Sequence, residues 1–383
     1  MMPLDRECCA LLCDLAHQTA QRRAEAIDNL GSKISDWASL LENARSHGML
    51  PMLFLRLKDC GSALPTDLLN ELRAEYERNV FHSITNAAEL IAVLKAFDCE
   101  GIPAMPFKGV VLSVSVYSDL TTRPAGDLDV LIFRHDLVKA TAVLLSRGYE
   151  LKTPARADGS PAVADYYEYH FERKSDGMVI ELRWRLELTQ PRFGRNLGMA
   201  WVWPSRKVVM LAGAEVPDLE RGTALLILCM HGSKHVWSRL IWIFDVAQLL
   251  ATSPNLNWEG ITREAKQYGL SRALALGVLL AHAVADAPVP VEILERFLAD
   301  KTASQLAAYI REHLFDAPGT TPQGPVPYNV QLLGGWDRVR MFLSLSFLQP
   351  NEKDRSFIPL PKSLEFFYYV VRPIRIMLDR SPR

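Results

Sequence analysis

The chain has 383 residues, 49% of them hydrophobic and 23% charged, the composition of a folded protein with room for two or three domains at roughly 100–200 residues each. Lys and Arg number 43 against 44 Asp and Glu, a formal net charge of −1. No global basic field therefore points to nucleic acid, and long nucleic acid is disfavoured as a partner. The six cysteines, Cys8, Cys9, Cys13, Cys60, Cys99 and Cys229, form no C-x-x-C pair, which argues against structural zinc and for thiols in a reducing compartment.

The N-terminus, MMPLDRECCALLCDLA, lacks the apolar run of a signal peptide. No segment reaches the roughly 18 uninterrupted apolar residues of a membrane span, and a cytoplasmic location is expected. Residues 1–100 read as a helical region. LLNELRAEYERNVFHSITNAAELIAVLKAF has no Pro or Gly and repeats its apolar residues at three and four, which predicts an amphipathic helix stopped by Gly101 and Pro103.

The pattern changes over 101–212, where the elements predict a small mixed α/β domain. IPAMPFKG leads into VVLSVSVYSD, a helix-length segment, and then into a Thr/Pro/Gly loop. LDVLIF has strand character and HDLVKATAVLLSRGYE reads as an amphipathic helix ending at Gly148. After a small-residue loop at 153–164, YYEYHFERK and MVIELRWRL flank Ser175-Asp176-Gly177, a hairpin signal. Helical patterns return over 213–383. The proline-rich GTTPQGPVPYN (319–329) reads as a loop or lid, and LEFFYYVVRPIRIML as a terminal helix docking on its own core.

Alternation along LDVLI gives Leu128, Val130 and Ile132 to one face and Asp127, Asp129 and Leu131 to the other. In MVIELRWRL it sets Met178, Ile180, Leu182 and Trp184 against Val179, Glu181, Arg183 and Arg185. Two acids at a strand entrance and a third on a strand that could neighbour it would repel unless a cation compensated them. Mg²⁺, which takes hard oxygen ligands, is one such cation. Pairing with Arg123, Arg183 or Arg185 is the alternative that the residues leave open.

The stretch PFKGVVLSVSVYSDLTTRPAGDLDVLI, followed by VIELRW and HGSKHVWSRLIWIFDVAQLL, resembles the nucleotidyltransferase superfold typified by DNA polymerase β. More narrowly it is similar to an uncharacterised bacterial group with a "KG…R…GDxD" signature. The resemblance covers about residues 105–250. It implies an α+β fold, in which a small mixed β-sheet nucleotidyltransferase domain is flanked by N- and C-terminal helical regions.

It further implies two Mg²⁺ ions held by Asp127, Asp129 and Glu181, with an NTP as substrate. Lys108-Gly109 stands where the superfold has a glycine-serine turn. No Ser follows Gly109, so phosphate contacts fall to Lys108 and to backbone N–H groups at the helix start. Arg123, in the loop before the acids, either meets the triphosphate or pairs with Asp127. In the group that this stretch resembles, His often stands where this chain has Arg183.

If 231–245 is one helix, His231, Lys234, His235, Ser238, Trp242 and Asp245 share a stripe about 100° wide. Three readings stay open: a His-x3-His metal site with Asp245, a nucleotide- or acceptor-binding face with Lys234 on a phosphate, and a buried His–Asp network. The reading that joins these signals is an Mg²⁺-dependent transfer of a nucleoside monophosphate to a small molecule, peptide or protein. Its rivals are a non-catalytic nucleotide-binding module of the same fold and a metal-dependent hydrolase centred on the histidines.

Overall fold

The computed structural model describes residues 37–58, 65–154, 167–188, 197–316 and 328–334, with isolated positions between 357 and 371. The chain divides into two compact units, Met1–Thr321 and Pro322–Arg383, and every element named below belongs to the first. The N-terminal cysteines and Cys60, most of the loop at 153–164, most of the proline-rich interval and most of the aromatic, basic C-terminal segment lie outside the described residues.

Helices come first, as the periodicity predicts: α1 (Trp37–Ser46), α2 (Leu50–Leu57) and α3 (Thr66–Cys99). The 34 residues of α3 contain nothing that breaks the backbone ladder. An 18-residue window of α3 reaches a mean hydropathy of 1.2. Its Ala87, Leu90, Val93 and Phe97 are buried in one core with the sheet, so that apolarity serves as a packing face.

The sheet contains β1 (Ala104–Pro106), β2 (Leu128–Ile132), β3 (Tyr149–Leu151), β4 (Glu168–Arg173) and β5 (Met178–Arg183), in the order β1-β2-β5-β4-β3. Only β2 and β5 run parallel; the other neighbours are antiparallel. Helix α4 (Gly109–Tyr117) joins β1 to β2, and α5 (Leu137–Ser146) follows β2. The β4–β5 hairpin forms around the Ser-Asp-Gly turn, and β5 alternates buried with half-buried residues as its sequence predicts. Val130, Ile132, Tyr169, Phe171, Ile180 and Leu182 form the fully buried centre of the core. This is the α+β architecture expected from the sequence.

A second, two-stranded sheet was not among the expected elements. It pairs β6 (Lys207–Leu211) with β7 (Ala214–Asp218), and the exposed Val208 and Met210 hide its alternation. After the short α6 (Met199–Val202), and beyond this hairpin, come α7 (Arg221–Lys234), α8 (Leu240–Thr252), α9 (Trp258–Tyr268), α10 (Ser271–Ala285), α11 (Val291–Leu298) and α12 (Lys301–Glu312). Helix α10 is apolar on nearly every side, the pattern of a helix enclosed by others.

His47, in the turn after α1, ties this helical array to the N-terminal helices. Its Nδ1 accepts from the N–H of Leu240 at 3.1 Å, its carbonyl accepts from Ile241 at 3.2 Å, and its ring packs on Phe315. Burial, together with the charge of Arg239, lowers its pKa from 6.5 to about 4. Above pH 6.5 the ring is neutral whether the chain is folded or not, and its contribution is complete. As pH falls from 6.5 towards 4, only the unfolded chain takes up the proton, and about 3 kcal/mol of stability is lost. Urea denaturation across that range should therefore show His47→Gln losing about 3 kcal/mol less than the wild type; equal losses would disprove the assignment.

Candidate active site

Strand β2 is buried along its whole length, and Asp127 stands one residue before it. Parallel pairing sets Asp129 directly beside Glu181 of β5. The carboxylates of Asp127, Asp129 and Glu181 converge, their nearest ligand atoms all within 4.8 Å of one another. His170 of β4 is paired with Glu181 from the other side, and cross-strand partners share a sheet face. With Tyr167, Glu168 and Glu181 it lines a cavity of about 330 Å³.

Two side-chain cations enter this cluster. Lys108 places Nζ 2.8 Å from Asp129 Oδ2, and Arg183 places Nε 3.2 Å from Asp129 Oδ1. Arg183 also reaches Glu168 through Nη1 at 2.7 Å and donates to Glu181 through Nη2. The pairing of Asp129 and Glu181 with Arg183, which the residues alone left open, is thus present. Burial works against ionisation of Asp129, but Lys108 and Arg183 outweigh it and hold the carboxyl below its usual range. Asp127 is pushed up by burial and by the charge of Asp129, which Lys108 only partly offsets.

The turn that delivers Lys108 is strained. Lys108 has φ 110° and ψ −156°, a backbone region that glycine favours, and Gly109 follows at φ 53°. A Cβ on Gly109 would lie 3.4 Å from the carbonyl oxygen of Asp127, so the turn runs close beneath the acids. Such backbone costs of order 1–3 kcal/mol and persists at sites where a side chain or amide must point one way. Here it aims Lys108 at Asp129 and opens α4, whose first amides have no side-chain cap.

The residues present fit a divalent cation. Asp129 Oδ1 is buried without a hydrogen bond, because the Nε of Arg183 is near it but not aligned. Four carboxylates (Asp127, Asp129, Glu168 and Glu181) meet two cations (Lys108 and Arg183), which leaves two negative charges when all are ionised. Among the described residues this is the one cluster of three or more acid, His or Cys side chains close enough to share an ion.

Loop 119–126, which presents Asp127, is fixed from two sides. Helix α3 reaches it through Tyr76 to the Thr121 hydroxyl (2.8 Å), Asn79 to the Thr121 carbonyl (2.6 Å) and Asn86 to the Ala125 carbonyl (2.8 Å). From α8, Asp245 accepts two bonds from Arg123, at 2.8 Å from Nε and 3.0 Å from Nη2, and a third from the Tyr117 hydroxyl at 2.8 Å. Nη1 of Arg123 donates to the carbonyl of Pro124. The structure therefore gives Arg123 the partner Asp245, 122 positions away, rather than Asp127, and each of its three nitrogens donates one bond within the protein.

The continuous helix expected over 231–245 is two helices. Helix α7 ends at Lys234, Val236 and Trp237 take φ near +55°, and α8 starts at Leu240. Trp237 causes the break: it folds back, fully buried, onto Gly232, where a Cβ would come within 2.5 Å of its ring. His231, His235 and Trp242 still meet, with ring centroids 4.8–5.3 Å apart. Lys234 donates to the Tyr167 hydroxyl at 3.1 Å and lies over its ring. Asp245, committed to Arg123 and Tyr117, does not join the histidines. Burial and the nearby Lys108 hold His231 well below its usual pKa. His235 is also lowered, by loss of solvent around its ring and by Lys234.

Sequence reasoning missed Glu168, and it grouped Asp245 with the histidines rather than with Arg123 and Tyr117. The hairpin turn carries the signal for the first, because it fixes the register in which Glu168 faces Arg183. It also missed a cavity of about 800 Å³ beside Gly126, walled by Arg78, His82, Arg239 and Trp242.

Residues 33–286 match the model of a family described as uncharacterised nucleotidyltransferase. The chain belongs to that family. Among solved structures it is similar to the antibiotic-resistance factor ANT(2'')-Ia, with 13% identity over 60% of this chain and 98% of that one and a TM-score of 0.30. It is also similar to an antigenic nucleotidyltransferase-like protein from Paracoccidioides brasiliensis, with 14% identity over 48% and 90% of the two chains and a TM-score of 0.27. No curated protein matches the chain.

Within this family member, the buried Arg123–Asp245 pair makes a direct prediction. Asp245→Asn strips the guanidinium of its charge partner and should cost about 3–5 kcal/mol in urea denaturation. Arg123→Met combined with Asp245→Leu should recover most of that loss. A single variant as stable as the wild type would refute the role given to the pair.

Proposed function

We propose that this protein transfers a nucleoside monophosphate from an NTP to an acceptor hydroxyl in an Mg²⁺-dependent reaction. The observation that carries the reading is the convergence of Asp127, Asp129 and Glu181 with two negative charges left uncompensated, beside a strained Lys-Gly turn at a helix start. Asp127, Asp129 and Glu181 would hold Mg²⁺, which when bound neutralises phosphate charge as a Lewis acid.

Lys108 and the uncapped amides of α4 address the triphosphate. Lys234, His231 and His235 flank the same cluster, the histidines as neutral rings. Glu181 orients the acceptor hydroxyl and takes its proton as the oxygen attacks the α-phosphorus. The bond from the α-phosphorus to the bridging oxygen breaks, and pyrophosphate leaves.

The acceptor enters from the cavity beside Gly126, whose volume of about 800 Å³ suits a small molecule or a polypeptide side chain. A net charge of −1 argues against long nucleic acid in that place. One observation favours a second reading, a nucleotide-binding module without turnover: Val110 follows Gly109 where the superfold places Ser.

Incubating the protein with each labelled NTP, Mg²⁺ and a cell extract should label one component and release pyrophosphate. EDTA should abolish the transfer. Asp127→Asn and Asp129→Asn should lower it by about 10²-fold or more, the scale of losing one preorganised charge contact, with the circular dichroism spectrum retained. NTP binding without release of pyrophosphate would favour the module, and unchanged turnover in both variants would sink the proposed site.

A further inference from the structure

We infer that Arg183 takes the place of one cation in the acid cluster, so that the site binds a single divalent ion through Asp127 and Asp129. The inference rests on the metal-dependent reading above, departs from the two ions that the superfold resemblance implies, and gives Glu181 to Arg183 rather than to the ion.

The guanidinium of Arg183 sits among carboxylates from three strands: Asp129 of β2 at 3.2 Å, Glu168 of β4 at 2.7 Å, and Glu181 of β5, to which Nη2 donates. Its side chain is only 12% exposed. It carries its charge at every pH the protein meets. A second ion on the Glu181 oxygen that Nη2 uses would have to displace that donor. It would then stand beside a buried guanidinium still held by Asp129 and Glu168, and like charges that close in a buried site repel strongly.

Charge leads to the same count. With Lys108 on the other oxygen of Asp129, the cluster lacks two positive charges, which one divalent ion supplies. A second would leave the protein groups with a positive excess. Asp129 Oδ1, 3.2 Å from Arg183 Nε but without an aligned donor, and the carboxylate of Asp127 lie within reach of one ion. Arg183 then does at Glu181 what an ion does elsewhere in such sites: it offsets carboxylate charge next to the reacting phosphate.

The test counts ions directly. Mn²⁺ is titrated into the full chain, with and without a non-hydrolysable NTP analogue, and followed by calorimetry and by electron paramagnetic resonance. The wild type should bind one Mn²⁺ per chain and show no coupling between spins. Arg183→Met, which keeps the apolar stem and removes the charge, should bind a second ion and show a spin-coupled pair; Arg183→Lys should remain at one.

Two ions in the wild type would overturn the inference while leaving the metal-dependent reading in place. One ion in both the wild type and Arg183→Met would overturn the role of Arg183. No bound Mn²⁺ in any of them would overturn the metal reading and this inference together. If Arg183→Met fails to fold, the wild-type count and spin spectrum still decide.

Discussion

A carboxylate buried in the middle of a sheet is the constraint on which this structure turns. Asp129 lies inside the core edge of β2, where an isolated charge would cost many kcal/mol. Lys108 and Arg183 make its ionised form the favoured one. Each of those partners has its own requirement. Lys108 requires the strained turn ahead of α4, and Arg183 requires the parallel pairing of β2 with β5 and the hairpin register that supplies Glu168. A one-residue slip of β5 would turn Arg183 and Glu181 into the core and Ile180 and Leu182 out of it. The apolar and charged faces therefore fix each other.

The second buried ion pair, Arg123 with Asp245, works on the same problem at longer range. Buried pairs of this kind give little net stability against an apolar replacement, yet they tolerate no loss of one partner. Their value here is geometric: α8 and the loop before Asp127 can adopt only one relation. Asn79 and Asn86 of α3 bond carbonyls of the same loop. Asp127 is thereby placed by elements that never touch its side chain.

What the sequence disclosed and what it hid follow from the range of the interactions. Alternation in LDVLI and MVIEL is a local property, so the three acids were legible on their common face, and the Ser-Asp-Gly turn marked the hairpin. Whether those acids meet a metal or an arginine depends on strand order, which alternation does not encode. The partner of Arg123 lies 122 positions away. The break after Lys234 comes from Trp237 packing on the bare backbone of Gly232, a contact that a 100° periodicity cannot register. The β6–β7 hairpin was hidden because Val208 and Met210 face outward, which erases the polar-apolar alternation that identifies a strand.

Trp242 stands beside both the histidine pair and the cavity. On one side it touches His231 and His235, whose neighbours Lys108 and Arg183 disfavour protonation. Being neutral, they add nothing to the cations already in the acid cluster and leave its charge deficit intact. On the other side Trp242 lines the cavity that Arg78 and Arg239 also border. Arg239 bonds the Ser46 carbonyl, and its charge still senses Arg123, Asp245 and Asp127. Trp242 thus meets neutral rings on one side and, on the other, a cavity whose rim mixes Arg78 and Arg239 with Glu75 and Asp176. The charge of the acid cluster is therefore answered by the groups that touch it, Lys108 and Arg183, rather than by its wider surroundings.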